Sequence, residues 1–459
     1  MNHNDTLTRM RLANPADAAD PDELAALRAV IEAEMAAPSG KERKPPLRWQ
    51  PRPAVAVTVA LVVTLALFLP LRYVGQGDGT ADVAATTPTS SVIAPSTAPP
   101  ASVAATPVLP LSVHPGELQW RRVDMPGLSG SYQWFDSVIA GGPGLIAVGS
   151  PNGEYEAFMW TSEDGIEWLP SIVEGAPNYG WAFDVTAGGP GYVAVGSRIW
   201  SSSDGVRWTN ADVTGPIVGE LRAVTVGGPG LVAVGKFGLL QASIYTSTDG
   251  LVWSLIPEEG APEGAYESEI TDIVAGGPGL VAVGHLGGIG AVWTSPDGFE
   301  WTRVPHDPEV FGYGAEGTEL SSIAAGDAGF VAVGRVTDDN TMGIWRSDDG
   351  LTWSVVPLDP TVVNEHHALA TVISTEQGFL AGGDGGQGDA GVWFSPDGIS
   401  WTRLTGEALG GLDVEHITDL TVLGDSVIAV GVRFFETGSS GEDRIGDSEV
   451  VWIGEPAQE

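Results

Sequence analysis

Two hydrophobic patterns divide the chain. Residues 53–71, PAVAVTVALVVTLALFLPL, form one unbroken apolar run without a charge. Beyond residue 112, short alternating apolar stretches are separated by glycine-rich turns instead. The long run suits a helix: at about 1.5 Å rise per residue it spans roughly 28 Å, close to a hydrocarbon core. We therefore expect a single transmembrane helix over 53–72. Lys41, Arg43, Lys44, Arg48 and Arg52 precede it and only Arg72 lies just beyond. The positive-inside rule then places residues 1–52 in the cytoplasm and the rest outside the cell. The alternative is a signal peptide cleaved near residues 81–85, which would need an n-region of about 50 residues.

The flanks of the run carry two further patterns. DPDELAALRAVIEAEM (20–35) predicts a short amphipathic helix over 21–36, capped by Asp20, with Leu24, Leu27, Ile31 and Met35 on one face. That face is a candidate docking stripe or the apolar side of a membrane-surface helix. A small cytoplasmic helix, one span and an outer domain resemble the layout of transmembrane anti-sigma factors, whose zinc-binding His/Cys cluster is absent here. Residues 73–112 are rich in Ala, Thr, Ser and Pro and read as an extended stalk.

Residues 113–459 are repetitive. GGPGLIAVG begins at Gly141, and its counterparts begin at Gly188, Gly227, Gly276, Gly326, Thr375 and Leu423. A spacing of 40–50 residues built from strand and turn signals predicts an all-β, seven-bladed β-propeller. Each unit reads as strand a, a glycine turn, strand b, a variable loop, strand c, a second turn and strand d. In the sixth unit these are 368–374, 378–383, 390–395 and 399–404. The seventh ends at VVWIGE (450–455) without a fourth strand, whereas LQWRRVDMP (118–126) is an outer strand without a blade. The N-terminal strand is expected to close the last blade and so remove its free edge.

The turn between strands c and d carries a second repeat: TSEDGIEW (161–168), SSSDGVRW (201–208), TSTDGLVW (246–253), TSPDGFEW (294–301), RSDDGLTW (346–353) and FSPDGISW (394–401). Glycine supplies a positive φ there, and the aspartate before it can accept turn N–H groups. We therefore read Asp164, Asp204, Asp249, Asp297, Asp349 and Asp397 as structural. This Ser-x-Asp-Gly-x-x-Trp pattern resembles the Asp box of sialidases, the bacterial neuraminidase repeat. The same box is similar to those of xyloglucanases, sortilin-type receptors and photosystem assembly factors. The resemblance implies a propeller blade with the box on the outer rim, away from the ligand face. It does not carry over sialidase activity: the family uses three arginines and a tyrosine–glutamate nucleophile in a six-bladed ring, and neither the tyrosine nor the arginine set can be matched here.

Charge and composition narrow the function. The net charge is −38, and residues 113–459 hold 12 basic against 49 acidic side chains. Such a surface repels nucleic acid and anionic lipid and would attract cations or basic partners. There is no cysteine, so disulfides and thiol chemistry are excluded. No cofactor or metal site is expected; Asp338, Asp339 and Asn340, and DGGQGD (384–389), read as polar loop tips.

Of 16 tryptophans, 13 fall at repeat positions and Trp49 marks the membrane interface, leaving Trp134 and Trp181. Both occupy the end of strand a where propeller ligands bind, in register with Glu220, Glu269, Glu319, Ala368 and His416. His366 and His367 lie close by. Aromatic planes beside carboxylates suit a glycan, a peptide or a cationic ligand. The reading is a membrane-anchored, cell-surface binding module without catalysis. The rival reading is an extracellular glycoside hydrolase using Asp184 and Asp272 at mid-height of the channel, since hydrolysis needs two carboxyls about 5–9.5 Å apart.

Overall fold

The structure, a computed structural model, describes residues 108–124, 132–152, 158–174, 180–214, 219–237, 241–256, 268–313, 316–336, 341–359, 368–386, 388–410, 414–437 and 444–457. The expected helices over 21–36 and 53–72, most of the stalk, and His366 and His367 lie outside these residues. Among the described residues no helix is long and apolar enough to cross a membrane.

Seven sheets, each with an antiparallel four-stranded blade, follow the seven sequence units. Blade 1 is Tyr132–Gly141, Gly144–Asn152, Phe158–Ser162 and Trp168–Pro170. Blade 7 is Val414–Leu423, Ser426–Thr437 and Arg444–Pro456, with Leu118–Asp124 as its outermost strand. That closing strand pairs along its whole length, Leu118 opposite Pro456 and Asp124 opposite Val450. In blade 6 the inner strands fall within one residue of the expected bounds, but the outer one shrinks to Thr402–Arg403. Segments following blades 1 and 2, Ile172–Glu174 and Asp212–Thr214, each add a parallel fifth strand to the next blade.

The core is distributed. Seven buried clusters each lie between two adjacent blades, such as Val123, Phe135, Leu145, Ile428 and Val451 between blades 7 and 1. Strand a in every blade carries a bulge, for example between Ala182 and Asp184 and between Leu221 and Ala223. A bulge sets two residues against one and re-aims the side chains that follow it.

The two sequence repeats form two halves of one joint. Ser162 at the box pairs with Leu145 just beyond the a–b turn, so both turns lie at the same end of a blade. In blades 1 to 4 the a–b turn then abuts the box of the next blade. A methyl group on Gly189 would stand 2.8 Å from the Asp249 carbonyl, and one on Gly228 would stand 2.7 Å from that of Asp297. The fit explains the recurrence of glycine there, all the more because Gly189 and Gly228 have φ of +60° and +55°. At the joint of blades 5 and 6, the Arg346 guanidinium donates instead to the Ala328 carbonyl at 2.8 Å and the Asp397 carbonyl at 3.2 Å.

Inside each box the aspartate accepts N–H groups of its own turn. Asp204 Oδ1 takes those of Val206 and Arg207 at 2.8 Å each, and the Trp208 indole donates to the Gly205 carbonyl at 2.9 Å. The backbone N–H of Arg207, then that of Val206, hold the Asp204 carboxyl below its ordinary value. Asp164, Asp249, Asp297, Asp349 and Asp397 repeat the geometry. The box tryptophans are buried, as are those of strand c.

The chain joins the propeller at this same end. Residues 109–112, expected as the last of the stalk, belong to the domain: Leu109 bridges to blade 6, donating to Ser374 at 2.9 Å and accepting from Glu376 at 3.0 Å. Leu111 is wholly buried among the residues between blades 6 and 7. Two leucines spaced to face one apolar cleft are enough to pin an otherwise polar segment.

Candidate functional site

The opposite end of the blades is the mouth, where strands a begin. Its shape is set by the last glycine of each AVG stretch. A methyl on Gly149 would lie 1.7 Å from the Trp134 carbonyl, one on Gly196 1.8 Å from that of Trp181, and one on Gly235 2.1 Å from that of Glu220. The same holds at Gly284, Gly334, Gly383 and Gly431 against Glu269, Glu319, Ala368 and His416. The bulge turns each mouth carbonyl onto strand b, and only glycine leaves room for it.

One arc of the mouth, on blades 7, 1 and 2, is aromatic. Trp134 is 37% exposed and Trp181 40% exposed, in contrast to the buried box and strand-c tryptophans. Trp134 meets Phe434 edge-on at 6.4 Å, and Trp181 meets Phe183 at 6.2 Å. The arc on blades 3, 4 and 5 is charged but compensated. Arg222, the bulge residue of blade 3, donates to Glu269 at 2.6 Å, pairs with Glu220 at 2.8 Å, and lies 4.4 Å over the Phe183 ring. Lys236 lies 3.1 Å from Glu220 and 3.6 Å from Glu269, and Arg335 pairs with Glu319 at 2.7 Å. Burial works against the Glu269 carboxylate, but Arg222, Lys236 and His285 outweigh it and hold its pKa below the ordinary value. Burial also lowers the His416 pKa, with Asp384 acting in the opposite direction.

The sequence places Trp134, Trp181, Glu220, Glu269, Glu319 and His416 at this end, and the structure has them there; His367 is outside the described residues. Sequence reasoning missed Lys236, His285 and Phe183. A signal existed: Lys236, His285 and Arg335 each directly follow the AVG glycine, opposite Glu220, Glu269 and Glu319 in the strand register.

Further in, Asp184, Asp272 and Asp419 follow the bulges and bolt blades together. Asp184 accepts from Ser137 of blade 1 at 3.0 Å and from the Val224 N–H of blade 3 at 2.7 Å. Asp272 accepts from Ser322 and the Ile323 N–H of blade 5, both at 2.8 Å. Asp419 accepts from Thr371 of blade 6 and the Val138 N–H of blade 1, both at 2.8 Å. At the junction of blades 3 and 4 the position holds Ala223, and the Arg222–Glu269 pair bridges there instead. Burial pushes Asp184 up to about 8, against the Val224 N–H and helped by the charges of Asp272 and Asp419. Burial likewise pushes Asp272 up to about 6 and raises Asp419. Among the described residues, no group of three or more His, Asp or Glu could hold a metal ion.

Seven closed sheets around a channel with an aromatic and charge-paired mouth define a seven-bladed β-propeller protein. The chain belongs to the family of the DUF6242 beta propeller domain, which matches residues 114–361, more than half of its length. A search of curated proteins finds no match. Among solved structures it is similar to the periplasmic gluconolactonase of Pseudomonas aeruginosa, at 10% identity over 72% of this chain and 100% of that one, with a TM-score of 0.40. A sialidase of Trypanosoma rangeli matches at 11% identity over 73% and 58%, with a TM-score of 0.42. A protein from Lactobacillus plantarum matches at 11% over 70% and 99%, with a TM-score of 0.45. Likenesses of this size say nothing about activity.

Proposed function

We propose that the protein is a membrane-anchored binding module that takes its ligand at the propeller mouth, outside the cell. The half-exposed pair Trp134 and Trp181 carries this reading. The box and strand-c tryptophans are buried, whereas these two indoles on adjacent blades stand half-exposed at the end where seven strands converge. The anchor rests on residues 53–72 and the basic cluster before them. The first described residues of the chain meet the propeller at the box end, where Leu109 bonds to Ser374 and Glu376. Binding of glycan and peptide panels to full-length protein, compared with Trp134→Ala and Trp181→Ala, tests the site. Ligand binding indifferent to both substitutions would refute it.

A second reading is glycoside hydrolysis, favoured by the raised Asp184 and Asp272 carboxyls, since a general acid needs a proton at neutral pH. Their backbone partners on neighbouring blades favour a bolting role instead. Release of reducing ends from polysaccharides that disappears in Asp184→Asn and Asp272→Asn, with the fold intact by circular dichroism, would establish the enzyme.

A further inference from the structure

We infer that the mouth selects an uncharged oligosaccharide, an inference that rests on the mouth being the binding site. The charged arc comes already neutralised. Glu220 and Glu269 share Arg222 and Lys236, and Glu319 holds Arg335. A cationic ligand would have to displace these cations to reach the carboxylates, and an anionic ligand would meet the carboxylates that the same cations hold. Among the described residues of this arc, neither charge class finds a counter-ion at low cost. A neutral polyol meets no such barrier: fixed ion pairs present oriented oxygens and N–H groups to hydroxyls, and their rigidity lowers the entropy lost on binding. Opposite them, Trp134 and Trp181 offer flat apolar faces of the size a pyranose ring covers with its C–H groups.

The channel also disfavours an extended peptide. A peptide that adds to a sheet edge needs free main-chain groups. On the innermost strands the N–H groups of Val138, Val224, Ile323 and Val372 already donate to the side-chain belt. At that level the edge is consumed by the junctions between blades.

The test is calorimetric titration of the full-length protein in detergent with hexasaccharides. The neutral probes are cello-, xylo- and mannohexaose, the cationic probe is a chitosan hexamer, the anionic probe is oligogalacturonate, and a proline-rich decapeptide is added. The expected result is binding of a neutral probe with an affinity insensitive to ionic strength. Trp181→Ala should weaken it by about tenfold, while Trp181→Phe retains most of the affinity. Arg222→Gln, which leaves the carboxylates in excess, should admit the chitosan hexamer, a gain that a misfolded variant would not show. Salt-sensitive binding of only a charged probe, lost in Trp181→Ala, would overturn the neutral class and leave the mouth reading standing. Binding of only the decapeptide, or of no probe, would also overturn the class. Binding of any probe that ignores Trp134→Ala and Trp181→Ala would overturn the mouth itself.

Discussion

Gly196 offers a sharp test of how the mouth is built. A methyl group there would lie 1.8 Å from the Trp181 carbonyl oxygen, whereas real contacts of this kind keep at least 3.0 Å. Relief requires a shift of about 1.2 Å between two strands that are hydrogen-bonded to each other and packed against both neighbouring blades. No flexible side chain can absorb it, because the obstacle is backbone. Gly196→Ala should therefore cost about 3 kcal/mol, the upper end for overpacking, or a fall of roughly 4 °C in Tm. The control is Gly424→Ala, where the added methyl meets nothing within 4 Å and only the φ of +62° is strained. That change should cost about 1 kcal/mol. Guanidinium and thermal unfolding of the two variants, followed by far-UV circular dichroism, give the comparison. Because the Trp181 carbonyl and indole move together, Gly196→Ala should also weaken ligand binding, and Gly424→Ala should not. A Gly196→Ala protein as stable as the control would refute the account of the bulge.

Other consequences can be read by similar means. Asp184 and Asp272 titrate in the fold at about 8 and about 6, above their ordinary 3.8. The folded state therefore holds protons that the unfolded chain has lost, and this stability, full below about pH 4, declines as pH rises through about 6 and then 8. The box carboxyls of Asp204 and Asp349 are depressed, so their contribution is present above about pH 4 and lost below it. Tm should peak near about pH 4, and Asp184→Asn should flatten the decline between about pH 4 and 8; a wild-type Tm that climbs from about pH 5 to 8 would contradict this. Arg122 of the closing strand pairs with Glu415, whose side chain is wholly buried. Arg122→Ala should destabilise by about 3 kcal/mol in urea unfolding, and Glu415→Gln should relieve part of that loss in the double variant. Leu111→Ala should cost about 3 kcal/mol, as in any core, although the residue sits in what reads as stalk.

Much of the ring was legible because its repeats are nearly periodic. The spacing of the GGPG-type turns gave the seven blades, and the unmatched WRRV strand gave the closure. The joints were not legible, since the a–b turn and the box that meet lie in different units, about 60 residues apart from Gly189 to Asp249. The mouth was legible in position but not in charge. Counting acids along strand a suggests an anionic rim, yet the compensating Lys236 and Arg335 sit on strand b, brought opposite by a register that the bulge shifts by one. Phe183 was hidden for the same reason, because a bulge residue breaks the alternation by which faces are assigned.

The closing strand also sets a timetable. Leu118–Asp124 is made early, and its partner Arg444–Pro456 follows more than 300 residues later. At roughly 5–20 residues per second, the first strand waits tens of seconds with an open edge. Six blades can stack in that interval, but none of them can circularise the domain. Holdase chaperones and proteases thus have their longest access to the strand at residue 118. Premature termination that removes only the last dozen paired residues would leave both ends of the ring exposed, a heavier loss than the same deletion in any inter-blade connection.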